Sequence, residues 1–318
     1  MTPIELTADD EAKVEALAGN LFMACLATME LANVELGVRL GLYEALAGAG
    51  AMTPGALAAK AGIAERYAQE WLEQQAVAGI VDVEETAKPA LERRFTLSNA
   101  HAHVLLDDDS EACMKPCAAV VPWVGKAIDI MVEEFRRGDG AAFGLFDLHD
   151  IQAAFTRPVF ANHLTQSWLP ALPDVEAKLH AGGRVRIAEV GCGEGLAAIT
   201  IARAYPNAEI DGFDLDDASI ASARKAAADA GVSDRARFEV RDAADPTIVG
   251  DYDLVLAIEM LHDVPDPVGL AVSMQDGGAG TGTVMRGDTV RGYARAAGFG
   301  DIEVLPVEHP QFVLYRMT

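Results

Sequence analysis

Positive charge is scarce in this sequence. Its 318 residues include 25 lysines and arginines against 49 aspartates and glutamates, a formal net charge of −24 at pH 7. A surface that acidic repels phosphate backbones and anionic headgroups, so nucleic acids and membrane surfaces are poor partners. Cysteine is sparse as well, with Cys25, Cys113, Cys117 and Cys192 the only four. So few thiols in a chain of this length predict reduced and mostly packed side chains. His101-x-His103 followed by Cys113-x3-Cys117 has the ligand types of a zinc site. It lacks a C-x2-C knuckle, and no metal is expected. The stretch MTPIELTADDEAK has no basic flank leading into an apolar run, which predicts no secretory leader. No uninterrupted apolar stretch approaches the roughly 20 residues of a membrane span. The richest, AAVVPWVGKAIDIMV, contains Pro122, Lys126 and Asp129. A cytoplasmic chain is the expectation. Internal repeats and low-complexity segments are lacking too.

What the sequence has is length and periodicity. Hydrophobic residues make up 51% and charged residues 23%, a globular balance with room for two cores. Residues 10–48 are rich in alanine and leucine at helical spacing, which reads as two helices. In MTPGALAAKAGI, Thr53 is placed to cap a helix, Pro54 suits its first turn and Gly62 its end. AERYAQEWLEQQAVAGIVDV reads as a second helix running into a strand, and VDVEE with RRFTLS as a hairpin. Together these describe a winged helix. Such units often read DNA through the second helix. Here that helix presents Glu65, Glu70 and Glu73 beside the single base Arg66. Residues 1–100 hold seven Lys/Arg against fifteen Asp/Glu, so dimerisation is the favoured use of the unit.

Residues 106–180 read as a helical connector with Trp123, Phe143, Phe146 and Trp168, each expected in the core before a pocket. From residue 184 strands and helices alternate. RVRIAEVG, AEIDGFD, ARFEVRD and DYDLVLAIEM are strands; GLAAITIARAY and DASIASARKAAADAG are helices, the second ended by Gly231. Apolar strands separated by helices imply an α/β fold with a doubly wound, mostly parallel sheet. IEVLPVEHPQFVLYRM reads as two strands joined tightly around Pro310, closing the sheet edge. The predicted division is 1–105, 106–180 and 181–318.

The first of these strands runs into Gly191-Cys192-Gly193-Glu194-Gly195. Two ligands compete for such a turn. A dinucleotide site wants G-x-G-x-x-G, with the third glycine allowing close helix–strand packing. The sixth position here is Leu196, and Glu189 puts a carboxylate beside the turn, unfavourable for a pyrophosphate. The same carboxylate suits the cationic amine of S-adenosylmethionine. Asp214 ends the second strand, where a carboxylate accepts ribose hydroxyls, and Asp242 ends the third, within reach of an adenine amine.

EVGCGEG, GFDLD, VRDAAD and DLVLAIEMLHDVPDP resemble, in order and spacing, the motifs of class I S-adenosylmethionine-dependent methyltransferases. With the winged helix and the W-L-P element ahead of them, the chain is similar to small-molecule O-methyltransferases of plants and bacterial secondary metabolism, and most similar to an actinobacterial type. The resemblance implies a homodimer joined through the N-terminal domain, with Gly191 and Gly193 approaching the methionine portion and Glu189 near its amino group. It further places Asp214 on the ribose, Asp242 and Ala243 beside the adenine, and Leu215 and Ile258 as apolar walls. His262, in MLHDVPDP, stands where plant relatives carry the base that takes the acceptor proton, though without the tryptophan that usually follows. S-adenosylhomocysteine would be the product, and the acceptor a small aromatic or polyketide-like hydroxyl.

One stretch departs from the family. After DPVGLAVSMQ the relatives have a fifth strand and a cap over the substrate, whereas this chain reads DGGAGTGTVMRGDTVRGYARAAGF. GTVM could supply only a very short strand, so a strand and lid are expected to be missing near residues 275–285. Other uses of the fold stay open at this stage: bound S-adenosylmethionine serving a decarboxylase or hydroxylase, a ligand-sensing winged-helix regulator, and a NAD-linked oxidoreductase in third place.

Overall fold

The computed structural model describes residues 6–138, 149–242, 251–260 and 286–318, which belong to two compact units, Met1–Ile151 and Gln152–Thr318. In the first unit, α1 (Ala8–Arg39) opens on a capping box in which the Asp10 amide donates to Thr7 Oγ1 and the Thr7 amide to Asp10 Oδ2. After α2 (Leu42–Leu46), α3 (Pro54–Ala61) has the ends its sequence predicts. Thr53 Oγ1 accepts from the Ala56 amide, Pro54 lies in the first turn, and Gly62 closes the helix at φ +70. Next come α4 (Glu65–Val77) and the antiparallel pair β1 (Asp82–Glu84) and β2 (Arg94–Thr96), with Val83 opposite Phe95. Met52 bridges to Phe95 and ties the entry of α3 to this wing.

Leu42, Tyr43, Leu46, Leu57, Leu72 and Phe95 form the core of the winged helix. Its buried polar groups are bonded: the Tyr43 hydroxyl donates to Gln75 Oε1 at 2.5 Å, and the Trp71 indole N–H donates to the Asn33 carbonyl at 2.9 Å. The second bond pins the end of α1. There the backbone of Gly37 lies so close to Trp71 and Tyr43 that no side chain fits between.

The rest of α1 is different. It packs along α6 (Lys115–Arg137), which follows α5 (Asn99–Leu106), yet Leu17, Leu21, Phe22 and Met29 are 61–63% exposed. The helix contains an 18-residue window of mean hydropathy 1.5, of which 11% is buried. By length and composition it is apolar enough to cross a membrane, although no apolar stretch in it runs uninterrupted for the roughly 20 residues of a span. Glu15, Asn20 and Glu30 interrupt every run of apolar residues, but isolated polar residues hardly lower an average taken along the helix.

The second unit begins within α7 (His149–Val159), which continues into a π-helical segment, Phe160–Trp168, followed by α8 (Pro173–His180). Strands and helices then alternate as β3 (Val185–Val190), α9 (Leu196–Ala204), β4 (Ala208–Asp214), α10 (Asp217–Asp229), β5 (Ala236–Val240) and β6 (Leu254–Ala257). The four strands are parallel in the order β5-β4-β3-β6. One face sends Val185, Ile187, Ile210 and Phe238 into a core with Ile201, Ile220, Leu164 and Leu169. On the other, Arg186 pairs with Asp211 at 3.0 Å, and Glu209 takes both Arg184 and Arg237. Because β4 and β6 flank β3 on opposite sides, the winding reverses at β3, the switch point at whose carboxyl end open α/β sheets form a ligand crevice.

After α11 (Gly287–Ala296), the strands β7 (Ile302–Val304) and β8 (Tyr315–Met317) pair antiparallel, as the sequence predicts. Two details differ. Among the described residues they form a separate two-stranded sheet and do not close the main one, and the loop 305–314 between them is long. Burial, and no tight turn at Pro310, holds that loop: Leu305 and Phe312 pack on the core, with the Phe312 ring 5.4 Å from Trp168. His309 Nδ1 accepts from the amides of Gln311 and Phe312 and orders the tip. The expected missing strand and lid near 275–285 lie outside the described residues, as do Phe143 and Phe146.

The close approach at Gly37 predicts a specific sensitivity. A Cβ there would lie 2.5 Å from Trp71 Cζ2 and 2.7 Å from Tyr43 Cε2. Gly37→Ala is expected to cost about 1–3 kcal/mol by overpacking. Gly19→Ala, where a Cβ meets nothing within 4 Å, should instead stabilise α1, by about 0.5–1 kcal/mol. Urea denaturation of the two variants reads this opposite sign directly.

Candidate functional site

The crevice is built on the glycine turn. Gly191, Gly193 and Gly195 have φ of +67, +50 and +74, which glycine adopts without the clash a Cβ brings. Each is needed for a different reason. A Cβ on Gly195 would lie 2.5 Å from the Phe238 ring and 3.1 Å from Ala223, so this glycine lets α9 settle against β5 and α10. On Gly191 it would lie 2.7 Å from Met260 Cβ. On Gly193 it would meet nothing within 4 Å among the described residues.

The neighbouring strand holds the turn. The amides of Gly191 and Cys192 donate to the Phe213 carbonyl at 2.8 and 3.1 Å. Asp214, the last residue of β4, accepts from the Gly193 amide through Oδ2 at 2.8 Å and from the Asp216 amide through Oδ1 at 3.0 Å. Beneath the turn lies Glu189, 3% exposed, whose Oε2 accepts from the Ala198 amide at 3.0 Å. Ala198 is the third residue of α9, and the N-cap Gly195 has no side chain to offer. Glu189 therefore caps the helix from the adjoining strand. Burial pushes its carboxyl up to about 8, the Ala198 bond works against that, and the Asp214 charge adds to it. Burial likewise raises the Cys192 thiol, with Glu189 and Asp214 reinforcing the shift.

The other residues singled out from the sequence fall around this turn or beyond it. Leu215, just past Asp214, is 69% exposed. Asp242 is half-buried shortly after β5, and Ile258 packs against the core just past β6. Ala243 and His262 lie outside the described residues. Two neighbours escaped the sequence reading: Glu259, with φ +56, and Met260, which lies on Gly191. Nothing in the order of residues marks a left-handed glutamate, since the strand pattern runs straight through it.

Leu196 sits at the start of α9, partly buried against the core, and the close packing that a dinucleotide fold assigns to its third glycine is carried one residue earlier by Gly195. The residues of the possible zinc set are engaged apart from one another. His101 Nδ1 is 2.8 Å from the Ile80 carbonyl, and His103 Nε2 is 2.8 Å from Ser110 Oγ. Cys117 Sγ lies beside Met114 Sδ.

Comparison with known proteins agrees with this geometry. Residues 187–273 match the methyltransferase-domain family, and residues 24–106 match the Rv2258c-like winged helix-turn-helix domain. PigF with SAH superposes with a TM-score of 0.65 at 17% identity, covering 98% of this chain and 100% of that one. For the mitomycin 7-O-methyltransferase MmcR the values are 0.62 and 18%, covering 93% and 96%. For human N-acetylserotonin methyltransferase in complex with SAM they are 0.56 and 16%, covering 95% of each. At such identities the likeness establishes the fold: a winged helix ahead of a class I methyltransferase sheet. In sequence, the ubiquinone biosynthesis O-methyltransferase of Bordetella avium is 35% identical over 82 residues, 26% of this chain. That of Marinobacter nauticus is 33% identical over 95 residues, 29% of this chain. The match spans 33% and 39% of the lengths of those two relatives.

Glu189 predicts a pH dependence. Between its usual 4.5 and about 8, the folded chain keeps a proton on this carboxyl that the unfolded chain releases. Its contribution to stability is therefore full below the lower value, falls as pH rises, and is gone above the higher one, with a slope of at most about 1.4 kcal/mol per pH unit. Glu189→Gln should flatten that slope. An unchanged difference between urea midpoints on either side of neutral pH in the variant would mean the carboxyl is ionised throughout.

Proposed function

We propose that this chain is an S-adenosylmethionine-dependent methyltransferase that acts on a hydroxyl of a small aromatic or polyketide-like molecule. The observation that carries the reading is the turn itself: an open backbone at Gly193, at the switch point of a parallel sheet, with Asp214 at the adjoining strand end. The methyltransferase-domain match over residues 187–273 supports it, as do the SAH and SAM named with two of the structural neighbours.

The residues fit such a ligand. Asp214 spends one lone pair of each oxygen on Gly193 and Asp216, which leaves acceptor capacity for two ribose hydroxyls. In this reading Leu215 and Ile258 supply apolar walls and Asp242 with Ala243 flanks the adenine. The Asp214 charge gives the crevice a negative potential suited to a cation, while Glu189 keeps its proton up to about pH 8. Bound there, S-adenosylmethionine supplies a methyl group on a sulfonium, and its transfer forms a carbon–oxygen bond, breaks a carbon–sulfur bond and leaves S-adenosylhomocysteine. The chain's share of the work is alignment of the acceptor and exclusion of water. His262 takes the acceptor proton, a useful step for a phenol with pKa near 10.

The homodimer belongs to the same reading. Leu17, Leu21, Phe22 and Met29 are exposed on α1, and Ile128, Val132 and Phe135 are exposed on α6, which packs along it. A second copy is the occupant we assign to them. An apolar surface of this extent marks an interface, and the net charge of −24 opposes an anionic bilayer.

Methyl-labelled S-adenosylmethionine incubated with a panel of phenols should yield labelled product. Asp214→Ala is expected to weaken donor binding at least about tenfold, near 1.4 kcal/mol. His262→Ala should lower kcat by roughly a hundredfold while donor affinity stays unchanged. Equal turnover in that variant would remove the histidine as base, and no labelled product with a bound donor would remove methyl transfer. For the dimer, light scattering should give twice the 33.6 kDa of one chain, and Leu21→Glu combined with Phe22→Glu should give a monomer. A monomeric native protein that sediments with liposomes would assign α1 to a membrane instead.

A further inference from the structure

Among the described residues two that are not glycine have a left-handed backbone, Glu85 and Glu259. Glu85 follows β1 in the wing turn, a common place for such a conformation. Glu259 is at another kind of place. It lies just past Ala257, which pairs with Val190 at the carboxyl end of the β3–β6 ladder, and its φ is +56. A long L side chain disfavours this conformation, which persists where the surrounding structure over-determines it. Here the determinant is visible. The next residue, Met260, lies on the glycine turn, so that a Cβ on Gly191 would come within 2.7 Å of its Cβ, 2.9 Å of its Cγ and 3.4 Å of its Cε. Gly191 is itself left-handed, at +67. Two left-handed residues thus end paired strands, and the methionine that follows one fills the space left by the missing side chain of the other.

We infer that the left-handed turn at Glu259 is a positioning element of the donor site: it seats Met260 on Gly191 and so fixes the turn that holds the donor's methionine end. The inference rests on the S-adenosylmethionine reading above. An extended backbone at 259 would carry the strand straight on, whereas the left-handed one folds the chain back over the glycine. It is the backbone of Glu259 that acts, and its exposed carboxylate is dispensable for donor binding.

A substitution series separates backbone from side chain, read by calorimetric titration with S-adenosylmethionine. Glu259→Gly and Glu259→Asn accept the left-handed conformation and should bind within about twofold of the native chain. Glu259→Val, β-branched and ill-suited to it, should bind at least about tenfold more weakly. Met260→Ala should cause a similar loss, and combining it with Glu259→Val should add little, because both remove the same seat. The 13C-methyl resonance of labelled Met260 should shift on donor addition in the native chain and in Glu259→Gly, but not in Glu259→Val, a readout that lowered stability alone does not reproduce. Should Glu259→Val not fold, Glu259→Gln and Glu259→Gly decide. Both keep affinity if the backbone acts, and both lose it if the carboxylate contacts the donor, which overturns the inference. A native chain that fails to bind the donor refutes the underlying reading before any variant is made.

Discussion

The hydrogen bond from the Gly193 amide to Asp214, 2.8 Å long, ties the end of one strand to the turn that leaves its neighbour. Around it the other constraints fall into place. The Phe213 carbonyl holds the first two amides of the turn, Gly195 lets α9 settle onto Phe238, and Glu189 caps the same helix from below. A turn fixed from three directions can leave the backbone of its middle residue open to a ligand with little reorganisation on binding. The methyl transfer proposed for it would depend on that rigidity more than on any acid or base, since transfer from a sulfonium is governed by alignment.

Glu189, singled out from the sequence as a ligand contact, serves the fold as the cap of α9. A carboxyl buried to this degree is costly when charged, and its single backbone donor lowers that cost only in part. The sequence placed this carboxylate beside a ligand amine. The structure shows it bonded to the Ala198 amide, so that whatever it contributes to a bound cation is transmitted from beneath the turn.

Much of the second unit was legible because its signals are local. Four apolar strands, their intervening helices and the three glycines follow from periodicity and from residues that accept positive φ. The ends of α3 followed in the same way, from Thr53, Pro54 and Gly62. What escaped was decided by contacts distant in sequence. The left-handed Glu259 is set by Gly191, and the long loop 305–314 by the burial of Phe312 on Trp168. A capping carboxylate nine residues before its amide could not be told from a ligand contact by spacing alone.

The central claim is that this turn holds S-adenosylmethionine, and a crystal grown with S-adenosylhomocysteine tests it most directly. The account predicts ligand density along Gly191 and Gly193, with the ribose hydroxyls on the Asp214 carboxylate and the adenine toward Asp242. An empty turn in a crystal saturated with the ligand, or density for it bound elsewhere, would contradict the account.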